Sequence, residues 1–142
     1  MNREIKFRGK GIADNEWYYG DLIQVESGRV HYFIIQDYEI KEDRIELNTC
    51  ASPEVIPETI GQYTGLDDKN GKEIYEGDVV YCQTKYGKAK AIIKFIDGKF
   101  VAYWNSALTH PENGHHIACY EINKRFKVIG NEYDNPELIG EE

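Results

Sequence analysis

The chain has 142 residues and a formal net charge of −8; 41% of the residues are hydrophobic and 13% aromatic. That supplies enough apolar material for a core, which excludes wholesale disorder, in a length that fits one ordinary domain or two very small ones. The acidic balance argues against non-specific attraction of the whole molecule to nucleic acid or anionic lipid. No apolar run approaches the roughly 18 residues of a membrane-spanning helix. The opening Met1-Asn2-Arg3-Glu4 alternates charge, so no signal peptide is expected. Cys50, Cys82 and Cys119 form an odd, scattered set with no C-x-x-C pair, and read as reduced, mostly buried thiols of a cytosolic protein. The 11 tyrosines and 13 glycines, against one methionine, favour strands and turns.

In chain order, residues 3–9 alternate Ile5 and Phe7 with Lys6 and Arg8, the period of a half-buried strand. A turn at Asp14-Asn15 leads to an aromatic strand over 16–25, giving a hairpin. Strand 29–36 carries Val30, Tyr32 and Ile34 opposite His31, Phe33 and Ile35, which predicts cover on both faces. Residues 37–46 are acidic and read as an exposed loop or loose strand. Ser52-Pro53-Glu54 fits the start of a helical turn that Pro57 stops. Asp67 to Lys72 is dense in turn formers, with Asn70-Gly71 suited to positive φ. Strands are expected over 74–83, 88–96 and 99–104, with turns at Tyr86-Gly87 and Asp97-Gly98. A long loop is expected over 105–116, then a strand over 125–131 and a terminal helical turn at Asn135-Pro136-Glu137-Leu138.

Two phrases recur. Trp17-Tyr18-Tyr19-Gly20-Asp21-Leu22-Ile23 aligns with Ile74-Tyr75-Glu76-Gly77-Asp78-Val79-Val80, and Thr59-Ile60-Gly61-Gln62 with Val128-Ile129-Gly130-Asn131. The same landmarks in the same order point to duplication of one structural unit. The expectation is an all-β protein of two small SH3-like barrel units related by that repeat. These are an N-terminal unit over 1–65 and a C-terminal unit over 72–135, followed by a short tail over 136–142. Exposed strand edges add a homo-oligomer, in the first instance a dimer.

Several longer phrases carry a resemblance: residues 2–9, Gly20-Asp21, Pro57 to Leu66, Asp68 to Asp78, and Val128 to Leu138. In these the chain resembles the YopX family of small phage and prophage proteins nearly end to end, although residues 30–50 and 105–120 match nothing recognisable. The resemblance implies an all-β fold with SH3-like character, phage or prophage origin and a cytoplasmic setting in the bacterial host. It implies no enzymatic activity and no catalytic residues.

Candidate sites follow from residue chemistry. His110, His115, His116 and Cys119 offer four possible zinc ligands within ten positions. Their spacing fits no established pattern, and a surface loop before a buried cysteine is the simpler reading. Asp67 to Glu76 superficially suggests a calcium loop. With Gly71 at the sixth position, however, Leu66 and Gly77 fall where carboxylates are required. The aspartates of Gly20-Asp21 and Gly77-Asp78 lack a partner for acid–base work. They read as turn acceptors where strands begin, with the glycines allowing close packing. No serine lies in a G-x-S-x-G context, no phosphate-binding glycine loop exists, and Cys119 beside His115 or His116 lacks a third group. Neither an enzyme nor a cofactor is expected.

The basic stripe is different. Lys88, Lys90 and Lys94 share one face of a strand with Tyr86 nearby, while Ala89, Ala91, Ile93 and Phe95 share the other. Such a strand can track a nucleic-acid backbone with a base stacked on the tyrosine, or can simply block edge pairing. The function expected is therefore a non-enzymatic phage or prophage protein that binds a host or phage protein. The alternatives are single-stranded nucleic-acid binding through strand 85–99 and a homo-oligomeric assembly role.

Overall fold

A computed structural model of the chain describes residues 3–84, 87–104, 115–116 and 125–139. It is all-β and antiparallel, with short 3₁₀ turns, in two compact units, Met1–Tyr63 and Thr64–Glu142. Among the described residues no helix is long and apolar enough to cross a membrane.

In the first unit, β1 (Phe7–Lys10) pairs with β2 (Trp17–Ser27), and β2 with β3 (Arg29–Ile35). The β1–β2 reversal is held by the Gly11 N–H on Glu16 O and by Asp14 Oδ1, which accepts from the Glu16 N–H; Asn15 takes a left-handed φ of 60°. The far edge of β3 is met by an extended segment rather than another strand. Gln36 and Ile34 donate to the carbonyls of Ala51 and Pro53, and Val55 donates back to Tyr32. Val55 and Ile34 are fully buried. Val55 fits because Gly9 lies beneath it: a Cβ there would come within 2.9 Å of Val55 Cγ2.

The helical turns sit elsewhere than expected. One spans Thr49–Ala51, capped by Asn48 Oδ1 on the Cys50 N–H, and Ser52 ends it instead of starting it. Residues 53–55 are drawn out by pairing with β3, and Pro57 opens the next turn, Pro57–Thr59, because its fixed φ suits a first helical position. The acidic stretch, of the two expected forms, takes the strand: it is a hairpin of β4 (Tyr38–Ile40) and β5 (Ile45–Leu47).

β6 (Gly61–Asp67) pairs with β1 through Gly61 and Gln62 and continues into the second unit beside β7 (Glu73–Tyr75). The expected strand over 74–83 is broken at Gly77, φ 94°, so β8 (Asp78–Thr84) starts afresh. β9 (Gly87–Ile96), β10 (Lys99–Trp104), β11 (His115–His116) and β12 (Phe126–Asn131) complete a sheet of order β11-β10-β9-β8-β12. Asp97 and Gly98, φ 54° and 78°, make the tight β9–β10 turn the sequence foretells. His115 and His116 belong to a strand opposite Ala102 and Val101, not to the expected loop. The core joins Ile74, Val80, Cys82, Ala91, Ile93, Ala102, Phe126 and Val128.

Among the described residues neither five-stranded sheet closes into a barrel, which corrects that expectation. β3 gives its outer edge to the 51–55 segment, and the second sheet ends at β11 and β12. The echoed Gly-Asp phrases also occupy different settings. Gly20-Asp21 lies inside β2, where a Gly20 Cβ would run into the Ile35 carbonyl, and Asp21 is exposed. Gly77-Asp78 forms a turn, with Asp78 buried and its Oδ2 accepting the Tyr75 N–H at 2.7 Å.

Candidate interaction surface

Strand alternation on β2 and β3 decides which side chains leave the core. Ile34 points inward, so Phe33 and Ile35 point the other way, opposite Ile23 and Asp21 across the ladder. Ile23, Val25, Phe33 and Ile35 thus form an apolar face on the side of the sheet away from Val55.

The hairpin that follows is amphipathic by the same rule. Its register pairs Tyr38 with Leu47, Glu39 with Glu46 and Ile40 with Ile45. Asn48 donates to Asp37 O at 3.0 Å and Lys41 to Arg44 O at 2.8 Å, so the hydrogen-bonded pairs are 37/48, 39/46 and 41/44. The pairs Tyr38/Leu47 and Ile40/Ile45 therefore aim their N–H and C=O groups outward, at the two edges. Their side chains share one face and stay exposed: Ile40 73%, Ile45 62%, Tyr38 50% and Leu47 41%.

Between this face and the β2–β3 face lie two adjoining hollows. One of about 350 Å³ is lined by Ile23, Val25, Phe33, Ile35, Leu47, Thr49 and Ser52. The other, about 300 Å³, is lined by Asp21, Ile23, Ile35, Tyr38, Ile40, Ile45 and Leu47. They share Ile23, Ile35 and Leu47 and so read as one apolar groove. On the polar side of the hairpin, a third hollow of about 300 Å³ is lined by Asp37, Tyr38, Glu39, Glu46, Leu47 and Asn48. Among the described residues three carboxylates border it and no base does. Glu46 is held by Arg44 at 2.9 Å and Glu39 by Lys41 at 3.3 Å, both nearer the hairpin turn.

One charged cluster stands at the far end of β3. His31 Nδ1 and Arg29 Nη2 each lie 3.0 Å from Glu54 Oε2. Burial works against ionisation of Glu54, but the hydrogen bonds from His31 and Arg29 outweigh it and hold its carboxyl below the ordinary range.

The sequence-based candidates are placed as follows. On β9, Lys90 sits opposite Tyr81, and Lys94 is ion-paired with Glu132 at 3.2 Å. Between them on the same strand face, Ile92 is only 2% exposed. On the opposite face Ala91 and Ile93 are in the core, but Phe95 is exposed against Phe100. Tyr86 and the Lys88 side chain lie outside the described residues, as do His110, Cys119 and the side chains of His115 and His116. Among the described residues no group of three His, Cys, Asp or Glu side chains is arranged to hold a metal ion. Cys82 is buried, as expected, and burial pushes its thiol up; Cys50 is exposed instead. The groove itself was not singled out from sequence. Its signal was the alternation Tyr38-Glu39-Ile40 and Ile45-Glu46-Leu47, hidden inside a stretch whose charge suggested an exposed loop or loose strand.

Comparison with known proteins places this geometry. The family model described as YopX protein matches residues 6–140. The crystal structure of protein EF1440 from Enterococcus faecalis is 25% identical, with a TM-score of 0.63 over 97% of this chain and 99% of that one. The crystal structure of protein yopX from Bacillus subtilis shares the fold at 16% identity, with a TM-score of 0.50 and 96% of each chain covered. No curated protein matches the chain.

Proposed function

The chain belongs to the YopX protein family, and from that membership and the exposed groove we propose a non-enzymatic phage or prophage protein that binds another protein in the bacterial host cell. The observation that carries this reading is the amphipathic hairpin. Four apolar side chains on one face, each at least 41% exposed, adjoin an apolar groove. A contiguous exposed apolar surface rimmed by charge marks an interaction site more often than a solvent face. The polar residues of the groove, Asp21, Thr49 and Ser52, form no nucleophile–base pair, and the Ser52 hydroxyl is engaged with Asn48 O at 2.6 Å. The reading requires neither SH3-like barrels nor a duplicated unit.

A photo-reactive residue at Ile40, in host cells carrying the gene, should cross-link to one discrete protein. The same probe at exposed Lys127 should not, and Leu47→Asp should remove the adduct. Absence of an adduct specific to Ile40 overturns the reading. The nucleic-acid alternative has less support, because Lys94 is neutralised by Glu132 and buried Ile92 interrupts the lysine face.

A further inference from the structure

Resting on the protein-binding reading above, we infer that the hairpin edge takes an extended segment of its partner in which apolar residues alternate with lysine or arginine. Three features converge on that chemistry. First, the outward N–H and C=O groups of Tyr38 and Ile40, or of Ile45 and Leu47, are an unfilled ladder within the described residues, suited to strand addition. Second, an added strand continues the pleat. Its residues beside Tyr38 and Ile40 project on the apolar face, into the groove lined by Ile23, Ile35 and Leu47. Third, its intervening residues project on the opposite face, beside Asp37, Glu39 and Glu46, where the hollow has three carboxylates and no base. Basic side chains there would add to Lys41 and Arg44 in offsetting the like-charge pair Glu39–Glu46, which faces itself across the ladder.

Charge also decides against a second copy as occupant. Residues 37–47 hold five acids (Asp37, Glu39, Glu42, Asp43, Glu46) and two bases (Lys41, Arg44), a balance of −3 within a chain of −8. Pairing β4 with its own copy about its centre sets Glu39 against Glu39. A basic partner strand gains attraction where a copy meets repulsion, and the attraction is screened by salt.

The test uses three short fluorescent peptides with one alternating valine–isoleucine framework and lysine, serine or glutamate between. Each is titrated by anisotropy against the full chain at low and high salt. The lysine peptide should bind about tenfold or more tightly than the serine peptide, and high salt should weaken it about tenfold. The glutamate peptide should not bind. Ile40→Asp should abolish binding with the circular dichroism spectrum unchanged, and the pair E39K and E46K should reverse the preference toward the glutamate peptide. Equal binding of all three peptides overturns this inference and leaves a docking face without charge selection. Failure of all three with the Ile40 adduct intact in cells overturns the inference alone, whereas loss of the adduct as well overturns the underlying reading. A concentration-dependent dimer dispersed by Ile40→Asp overturns it in favour of a second copy.

Discussion

Replacing Asp68 by asparagine should destabilise the second unit more than its neutral appearance suggests. Asp68 is 6% exposed and is a backbone receptor, not an ion-pair partner. Its Oδ1 accepts the N–H groups of Asn70 and Lys72 at 2.8 and 2.9 Å, and its Oδ2 accepts that of Val128 at 2.9 Å. One side chain thus closes the β6–β7 turn and ties it to β12, next to the Lys69 N–H on Phe126 O. Asparagine keeps one oxygen and turns its NH₂ toward the remaining N–H. A charge-assisted hydrogen bond is lost and a buried donor left unmet, together about 2–4 kcal/mol. With a urea m-value of about 2 kcal/mol per M, the midpoint should fall by about 1–2 M. The exposed Glu42→Gln should move stability by less than about 0.5 kcal/mol. Burial opposes ionisation of Asp68, yet the N–H groups of Val128, Lys72 and Asn70 outweigh it, so its folded pKa lies below the unfolded value of 3.8. A depressed folded pKa means the contribution is complete above the unfolded value and disappears as pH falls through the folded one. Urea midpoints followed by circular dichroism should therefore differ by a constant amount from neutral pH down to about 5 and converge only below about 3.9. A neutral-pH difference under about 0.3 M, or convergence already between pH 7 and 5, refutes the reasoning.

Gly20→Ala should lower stability by about 1–3 kcal/mol, because its methyl group meets the backbone carbonyl of Ile35, which cannot rotate away; an unchanged melting temperature would count against the close approach. Ile40→Ser with Ile45→Ser should change the unfolding free energy by no more than about 1 kcal/mol, the scale of a cross-strand pair, and a larger loss in urea melts would show that the face is structural. In native protein, peptide mapping after brief iodoacetamide treatment should find Cys50 alkylated and Cys82 protected until unfolding, since Cys82 is 2% exposed and burial raises its thiol; equal labelling would contradict the core.

What could be read from the sequence was local chemistry. Asp97-Gly98 and Asn70-Gly71 announced their turns because few other pairs accept positive φ, and Gly71 and Gly98 do adopt it. Aromatic and β-branched content announced β2 and β3, and strand alternation the inward Ala91 and Ile93. Long-range pairing was not legible. Nothing in Ser52-Pro53-Glu54 says that β3 will draw that segment out, and the helical turn forms just before it, capped by Asn48. The burial pattern along the lysine face was not legible for a similar reason: periodicity puts Ile92 beside Lys90 and Lys94 but does not say that it will be buried. The Gly-Asp echo was real as sequence, yet the two glycines serve different demands, close approach at Gly20 and positive φ at Gly77.

The hairpin is hard to explain as a device for stability. A two-stranded ribbon is marginal in water, and this one has only three residues in each strand. Its central pair opposes Glu39 to Glu46, an arrangement that costs up to about 1 kcal/mol unless neighbouring bases offset it. Arg44 and Lys41 do so from the turn end. A sequence selected for the isolated fold alone would place a cation at 39 or 46 and polar residues at 40 and 45. Instead, among the described residues Ile40 and Ile45 are the most exposed large hydrophobic residues. One change answers both departures, the arrival of a strand that covers the isoleucines and adds cations beside glutamates that Lys41 and Arg44 already offset from one side. A single occupant that resolves two independent irregularities is better supported than one that resolves either alone, and this is why the charge-reversal pair at 39 and 46, rather than removal of the isoleucines, is the sharper discriminator. Loss of apolar area weakens any ligand, whereas inverted preference arises only if those carboxylates face the partner's charges.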